Sequence, residues 1–282
     1  HPPMRARSCP ARRWQRGGDN PHELWRGLRA QKILDAIEQF GKHPSPELRR
    51  FLKPQEVLIA RLHEDALSHQ DRLVIGQKLA EFGDPRPGVG VKEGVPDIVW
   101  IEVPGGQMKL EGIEHVFTVK PFRLAKYPLT NEQFGVFVTA EDGYRNEEWW
   151  KDIERRGSSD QPKWSEANGP RETVSWYEAV AFSRWLSAKT GTSIRLPTEW
   201  EWQQAATGRD PEREYPWEGG WDSSRCSSDA SDLRRTTAVG MYPTGVTAQG
   251  SFDMAGNVWE WCLNEHEHPE RPEAVRIDKR GG

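Results

Sequence analysis

The sequence has few cysteines, no marked excess of charge of one sign and no long apolar run. Each of these features excludes a class of protein. The 282 residues include three cysteines, an odd and sparse set that suits a reducing compartment rather than a disulfide framework. A pair between Cys226 and Cys262 is left open. No apolar run approaches the roughly 20 residues of a spanning helix, and the N-terminus lacks the apolar stretch of a signal peptide. The sequence therefore predicts a cytoplasmic protein with no membrane partner.

Charge is nearly balanced, with 39 basic and 43 acidic residues, which gives no overall reason to expect nucleic-acid binding. Residues 1–30 are the exception, because arginines with interspersed proline and glycine dominate them. Such a segment can be a nucleic-acid arm, but a solvated and disordered tail is the preferred interpretation. The arginines concerned are Arg5, Arg7, Arg12, Arg13, Arg16, Arg26 and Arg29.

Tryptophan, by contrast, is abundant. The chain has 14, and most follow Trp100. This density indicates either an aromatic-rich core or an exposed sugar-binding surface, and core packing is the preferred interpretation because buried aromatic rings dominate core energetics.

Residues 31–83 show helical spacing throughout and predict a small helical module. One short amphipathic helix ends at Gly41, and another begins at Ser45 with Pro46 in its first position. Residues 84–96 are rich in proline and glycine, so we expect neither a helix nor a regular strand to persist there. This segment is predicted to be a linker, followed by a domain over residues 97–282.

The domain begins with strand patterns and continues with helix starts. Apolar residues from Ile98 to Val103 predict one strand, those from Val116 to Phe122 predict a second, and 104–106 read as a turn. Three capping boxes then predict helices, because a hydroxyl and an acceptor three residues later satisfy the free N–H groups of a first turn. These boxes are Thr130 with Gln133, Ser175 with Glu178, and Thr198 with Glu201, and Gly191 is predicted to end the second helix.

Four segments, in this order, resemble the formylglycine-generating-enzyme family, also called sulfatase-modifying factors. They are Lys126–Asn131 (KYPLTN), Val174–Ala179 (VSWYEA), Arg195–Trp202 (RLPTEWEW) and Phe252–Trp261 (FDMAGNVWEW). The third and fourth segments are the most specific, and the similarity covers the chain from Asp97 onward.

The resemblance implies an α+β fold of the C-type-lectin-like kind, with few regular elements and long ordered loops, here preceded by the helical module. In the family this fold serves copper-dependent oxidation of a substrate cysteine to formylglycine, sulfoxide-forming iron enzymes of ergothioneine synthesis, hypervariable ligand-binding proteins and domains of bacterial signalling proteins. A bacterial source is therefore expected, but the fold alone does not choose among these activities.

The resemblance also implies which segment is expected after Gly282. In the family, a segment like Arg280–Gly282 is followed by a copper-binding cysteine pair and a closing strand, so the domain is expected to be truncated at its C-terminal end. No catalytic residue is assigned in this sequence, and copper is expected only if the following segment carries that pair. Cys226 and Cys262 precede the catalytic segment and are assigned neither as nucleophiles nor as copper ligands.

A calcium site is the best candidate within the sequence. In the family, the corresponding loop binds calcium through side chains matching Asp253 and Glu260 and through carbonyls matching Gly256 and Val258. Calcium prefers several hard oxygen ligands in flexible geometry, which this loop offers. The alternative is that Asp253 only orders a turn and the neighbouring tryptophans pack in the core. In both interpretations the site is structural.

Two histidine pairs are weaker metal candidates. His63 and His69, with acidic residues between them, suggest the iron site of the ergothioneine enzymes, but their spacing does not match and a solvated helical face is preferred. His266 and His268 could chelate a transition metal weakly, and a polar surface loop is again preferred.

The leading functional hypothesis is a binding module for a protein or a small-molecule ligand. The alternative is a copper-dependent formylglycine-generating oxidase, or a related non-haem iron enzyme, whose catalytic segment follows Gly282. Whether the protein is an enzyme is left undecided by the sequence. The coding sequence beyond Gly282 distinguishes the two, because only the oxidase requires a cysteine pair there.

Overall fold

The structure is a computed structural model that describes residues 54–64, 67–154, 157–208 and 213–265. The predicted tail, the helices near Gly41 and Ser45, and the pair His266 and His268 lie outside these ranges. Almost all described residues belong to one compact unit, residues 58–282, which contains the candidate site. Within the described ranges, none of the helices has the length and hydropathy of a membrane span.

The predicted helix starts are confirmed. At Thr130, Ser175 and Thr198 the hydroxyl accepts the backbone N–H three residues later, and the side chain there accepts the cap's own N–H. Gly191, in the left-handed conformation at φ 66°, ends the second of these helices as expected. The described ranges hold five α-helices: α1 Pro54–Arg61, α2 His69–Phe82, α3 Asn131–Thr139, α4 Trp176–Thr190 and α5 Glu199–Thr207.

A fourth capping box starts α2 and was not predicted. The Ser68 hydroxyl accepts from the Asp71 N–H, and the Asp71 carboxylate accepts from the Ser68 N–H. Aspartate in place of Glu or Gln at the third position made the pattern harder to find. The same physical device therefore begins four of the five helices.

The strands are short and pair in three antiparallel couples: β1 with β2, β3 with β6, and β4 with β5. Partners of β3 and β6 run from Trp100 opposite Ala125 to Val103 opposite Phe122. The bounds are β1 Val91–Lys92, β2 Val95–Pro96, β3 Trp100–Val103, β4 Gly106–Lys109, β5 Val116–Val119 and β6 Phe122–Ala125. The α+β class with few regular elements is thus confirmed.

Three strand predictions need correction. Residues 84–96 do contain strands, because Glu93 and Gly94 both have positive φ (51° and 75°) and form the two-residue turn that joins β1 to β2. The predicted second strand is two strands, since Pro121 cannot donate to a ladder. A further strand, β4, begins within the predicted turn at Gly106.

The main core is aromatic and lies between α3 and α4. Phe134 and Phe137 from α3 meet Phe182 and Trp185 from α4, and Trp185 is 0% exposed. The prediction that tryptophans serve core packing is confirmed for this cluster, but Trp259 and Trp261 lie at the surface. Phe134, Phe182 and Leu186 of this core also line the cavity beside the candidate site.

Candidate functional site

Asp253 begins the candidate calcium loop and is held in an uncommon backbone conformation, at φ 61°. Its Oδ2 accepts the Gly240 N–H at 2.7 Å. Burial raises the pKa of Asp253 to about 6, although hydrogen bonds from Gly240 and Asn257 and the positive charge of Arg86 oppose the rise. A carboxylate whose ionised form is this poorly compensated favours a cation beside it.

Glu260 closes the loop and is the second carboxylate. Its Oε2 accepts a hydrogen bond from the indole Nε1 of Trp202, on α5, at 3.2 Å. Burial, and to a smaller extent the negative charge of Asp253, raises the pKa of Glu260 to about 7 against the Trp202 hydrogen bond. The negative charge of Asp253, the first predicted side-chain ligand, thus acts on Glu260, the second.

The residues between these carboxylates are held in place from outside the loop. Asn257, at φ 72°, makes a reciprocal pair with Thr237: its Oδ1 accepts the Thr237 N–H at 2.9 Å, and its Nδ2 donates to the Thr237 carbonyl at 3.2 Å. A Cβ on Gly256 would lie 2.2 Å from the Ser227 carbonyl oxygen, so this position admits only glycine. Gly256 and Val258, the predicted carbonyl ligands, thus belong to a fixed turn.

This donor set fits calcium better than a transition metal. The described ranges hold no group of three or more His, Cys, Asp or Glu side chains that could bind a metal ion. Two carboxylates alone do not complete a shell, so a cation here requires backbone carbonyls, which calcium accepts readily. The calcium site over Asp253, Gly256, Val258 and Glu260 therefore stays a prediction.

One histidine of the pair in the helical module, His69, lies against another part of the fold. Nδ1 of His69 lies 2.9 Å from the Tyr242 hydroxyl, and burial, together with the nearby charge of Arg72, lowers the pKa of His69. His69 thus forms part of the contact between α2 and residues 238–242.

An apolar groove adjoins the loop from Asp253 to Glu260, with a cavity volume of about 220 Å³. Glu260 of the loop also lines it, and Arg171, which lies 4.9 Å over the Phe134 ring, is its one lining arginine. At its border Trp259 is 69% exposed and Trp261 is 52% exposed. The apolar groove is defined here by Trp100, Leu124, Phe182, Leu186, Trp259 and Trp261.

Cys226 and Cys262 are both free, so the open alternative of a disulfide between them is wrong in this structure. Burial raises the pKa of the Cys226 thiol to about 11 and that of Cys262 to about 12. The thiolate is the reactive and metal-binding form, and burial favours the protonated form of both thiols near neutral pH.

Sequence reasoning missed two residues that shape the site. Gly240 supplies the N–H that holds Asp253, and Trp202 supplies the indole donor to Glu260. Trp202 belongs to the RLPTEWEW segment that resembles the family. The resemblance therefore drew attention to this residue but did not indicate its role. The sequence did not indicate the role of Gly240, because that role depends on a contact across the fold.

Comparison with known proteins supplies a family. Residues 90–282 match the family described as "Sulfatase-modifying factor enzyme 1-like domain". The chain is 29% identical to a hercynine oxygenase from Mycolicibacterium thermoresistibile, a match that covers 85% of this chain and 58% of that protein. It is 26% identical to a formylglycine-generating enzyme from Thermomonospora curvata, covering 64% of this chain and 77% of that protein.

The chain is also similar to a second hercynine oxygenase and to a solved structure. A hercynine oxygenase from Mycobacterium tuberculosis is 31% identical over 183 residues, which cover 56% of this chain and 40% of that protein. The chain thus spans about half the length of the hercynine oxygenases it matches. Among solved structures, PvdO from Pseudomonas aeruginosa shares 21% identity at a TM-score of 0.48, covering 66% of this chain and 78% of that one.

Proposed function

Because the chain belongs to the sulfatase-modifying factor enzyme 1-like family, we propose that it is a binding domain of that family, with calcium in the loop from Asp253 to Glu260. Its apolar groove takes the apolar part of a protein or small-molecule ligand. The partner is therefore a molecule that offers an apolar or aromatic segment, recognised by burial rather than by charge.

The observation that carries this proposal is the exposure of Trp259 and Trp261 at the border of the groove. Large apolar side chains left in water beside an apolar cavity mark an interaction site. Tryptophan is also enriched among the residues that dominate binding energy. The Trp261 indole donates to the Val174 carbonyl at 2.8 Å, so its ring is already oriented.

Calcium supports the groove rather than performing chemistry. Val258 and Glu260 belong both to the calcium loop and to the lining of the cavity. A divalent cation bound by the two carboxylates offsets their mutual repulsion and stiffens the backbone that carries Trp259. Its expected role is to pre-organise the binding surface, which reduces the entropy lost when a ligand binds.

The hydrophobic anion 1-anilinonaphthalene-8-sulfonate is a suitable probe of the groove. Binding is measured by its fluorescence with the wild type, Trp259→Ala, Trp261→Ala and the control Trp221→Ala. Trp221 is 42% exposed but does not line the groove. The groove variants should weaken binding by about tenfold, the effect of a hot-spot residue, and the control should not. Equal binding by all four proteins would refute the proposal.

An oxidoreductase is the second candidate, and the names of the relatives favour it, since they include hercynine oxygenases and a formylglycine-generating enzyme. Neither described cysteine supports this candidate as a copper ligand, because Cu(I) selects thiolates and the pKa of each thiol is raised to about 11 or 12. The 282-residue chain, supplied with copper and a peptide carrying a sulfatase-type cysteine, should leave that cysteine unchanged by mass spectrometry. Conversion to formylglycine would favour the enzyme.

A further inference from the structure

One peptide group connects an arginine upstream of the recognised family domain to the calcium loop. The carbonyl of Val239 accepts Nη1 of Arg86 at 2.8 Å. The N–H of the same peptide bond, on Gly240, donates to Asp253 Oδ2 at 2.7 Å. A guanidinium, an amide and a carboxylate therefore stand in one hydrogen-bonded row, in which each bond polarises the next.

The remaining donors of the Arg86 guanidinium are also held by hydrogen bonds. Its Nε and Nη2 donate to the two oxygens of Asp84 at 2.9 and 2.6 Å, and the side chains of Arg86 and Asp84 are only 9% and 4% exposed. Asn168 donates to Asp84 at 2.8 Å and to the carbonyl of Gly76, within α2, at 3.0 Å. The row is thus anchored on α2 and on a buried bidentate ion pair.

The segment between these partners has little freedom. Residues 237–242 are buried throughout, and Nη1 of Arg72, on α2, donates to the Met241 carbonyl at 2.7 Å. Gly240 has φ 69°, and a Cβ there would lie 2.5 Å from the Tyr127 ring. A peptide held this closely transmits the position of Arg86 to Asp253.

We propose that Arg86 is a positioning residue for the calcium loop: through the Val239–Gly240 peptide it fixes the Asp253 carboxylate in the place where calcium is bound. Arg86 lies before residue 90, where the family match begins. The segment from α2 to Arg86 is accordingly a working part of the site. This inference rests on the proposed calcium site.

The sign of the effect separates positioning from plain electrostatics. A positive charge near a cation site repels the cation, so its removal alone strengthens calcium binding. Loss of a positioning contact weakens it. The double variant Asp84→Asn with Arg86→Met conserves net charge and leaves no unpaired buried charge, so any weakening reports geometry.

Calcium chloride is titrated by calorimetry into chelator-treated wild type, the double variant and the control Lys92→Met. Lys92 pairs with Asp97 at an exposed position, 70% accessible, so its loss should change the Kd by no more than about twofold. The double variant should bind about tenfold more weakly or worse, as is usual when a partner behind a metal ligand is removed. Near-ultraviolet circular dichroism of the tryptophans verifies that each protein is folded.

The outcomes are distinguishable. Wild-type binding with an unchanged Kd in the double variant overturns the positioning role and leaves the calcium site standing. No binding by the wild type overturns both. If the double variant does not fold, Arg86→Lys replaces it, because lysine retains the charge without the planar fork. An unchanged Kd in that variant also overturns the proposal, and a weaker Kd supports it.

Discussion

The helices α3 to α5 and the segment 213–265 are built in different ways. Each of the three helices begins at a capping box, a contact between residues three positions apart. The described segment 213–265 has no α-helix and no strand, only single-turn 3-10 helices. Its site residues are held by distant partners, as Glu260 is by Trp202. Regular structure here follows local chemistry, whereas the site depends on tertiary contacts.

Substitution of Trp185, a central side chain of the core between α3 and α4, should have the largest effect on the helical region. Trp185 is 0% exposed, and Trp185→Ala should lower the free energy of unfolding by about 3–5 kcal/mol through lost burial and the cavity left behind. Chemical denaturation measures this. Trp259→Ala, at a position 69% exposed, should cost about 1 kcal/mol or less. Equal losses would erase the contrast between core and border.

A matched pair of glycines tests the two regions with one substitution. Gly240→Ala should destabilise the protein by about 1–3 kcal/mol, because φ is 69° and the new Cβ would meet the Tyr127 ring. Gly135→Ala, inside α3 with nothing within 4 Å of the added Cβ, should stabilise by about 0.5–1 kcal/mol. Denaturation curves report both. The same sign at both positions would contradict the assigned backbone geometry.

Removal of a cap should have a smaller effect. The Ser175 hydroxyl accepts the Glu178 N–H at the start of α4, so Ser175→Ala should cost about 1 kcal/mol. Ser175→Thr keeps an acceptor and should remain near the wild type. Thermal denaturation compares the variants. If alanine and threonine behave alike, the capping box does not stabilise this helix.

The calcium-free protein should respond to pH through its raised carboxylates. The pKa values of Asp253 and Glu260 are raised by burial to about 6 and 7, so the folded state holds extra protons. The contribution of these two carboxyl groups to stability is then complete below about pH 4 and is lost as pH rises through 6 to 7. His69, whose pKa is lowered by burial, acts in the opposite sense.

Urea denaturation in chelator at several pH values isolates the two carboxylates. The wild type is compared with a variant carrying Asp253→Asn and Glu260→Gln, in which His69 is unchanged. The variant should lose stability less steeply than the wild type between pH 5 and 8. Parallel profiles would show that the two carboxylates do not titrate in this range.

The sequence predicted the fold class and three helix starts, and the structure confirms both. The four candidate calcium ligands stay a prediction. Those helix starts were readable because a capping box is contained in four consecutive residues, as at Thr130. It missed β4 and the β1–β2 turn, since Glu93 at positive φ gives no recognisable turn pattern. It also could not show that Arg86 and Asp253 share one peptide group, because that contact exists only after residues 84–86, 239–240 and 253 come together.

Calcium binding by the wild-type chain tests the central claim most directly. Calorimetric titration should show one calcium ion bound per chain, EGTA should lower the melting temperature, and Asp253→Ala should abolish both effects, because a ligand bound only to the folded state stabilises it. A wild type that shows no binding heat and the same melting temperature in calcium and in EGTA would contradict the account.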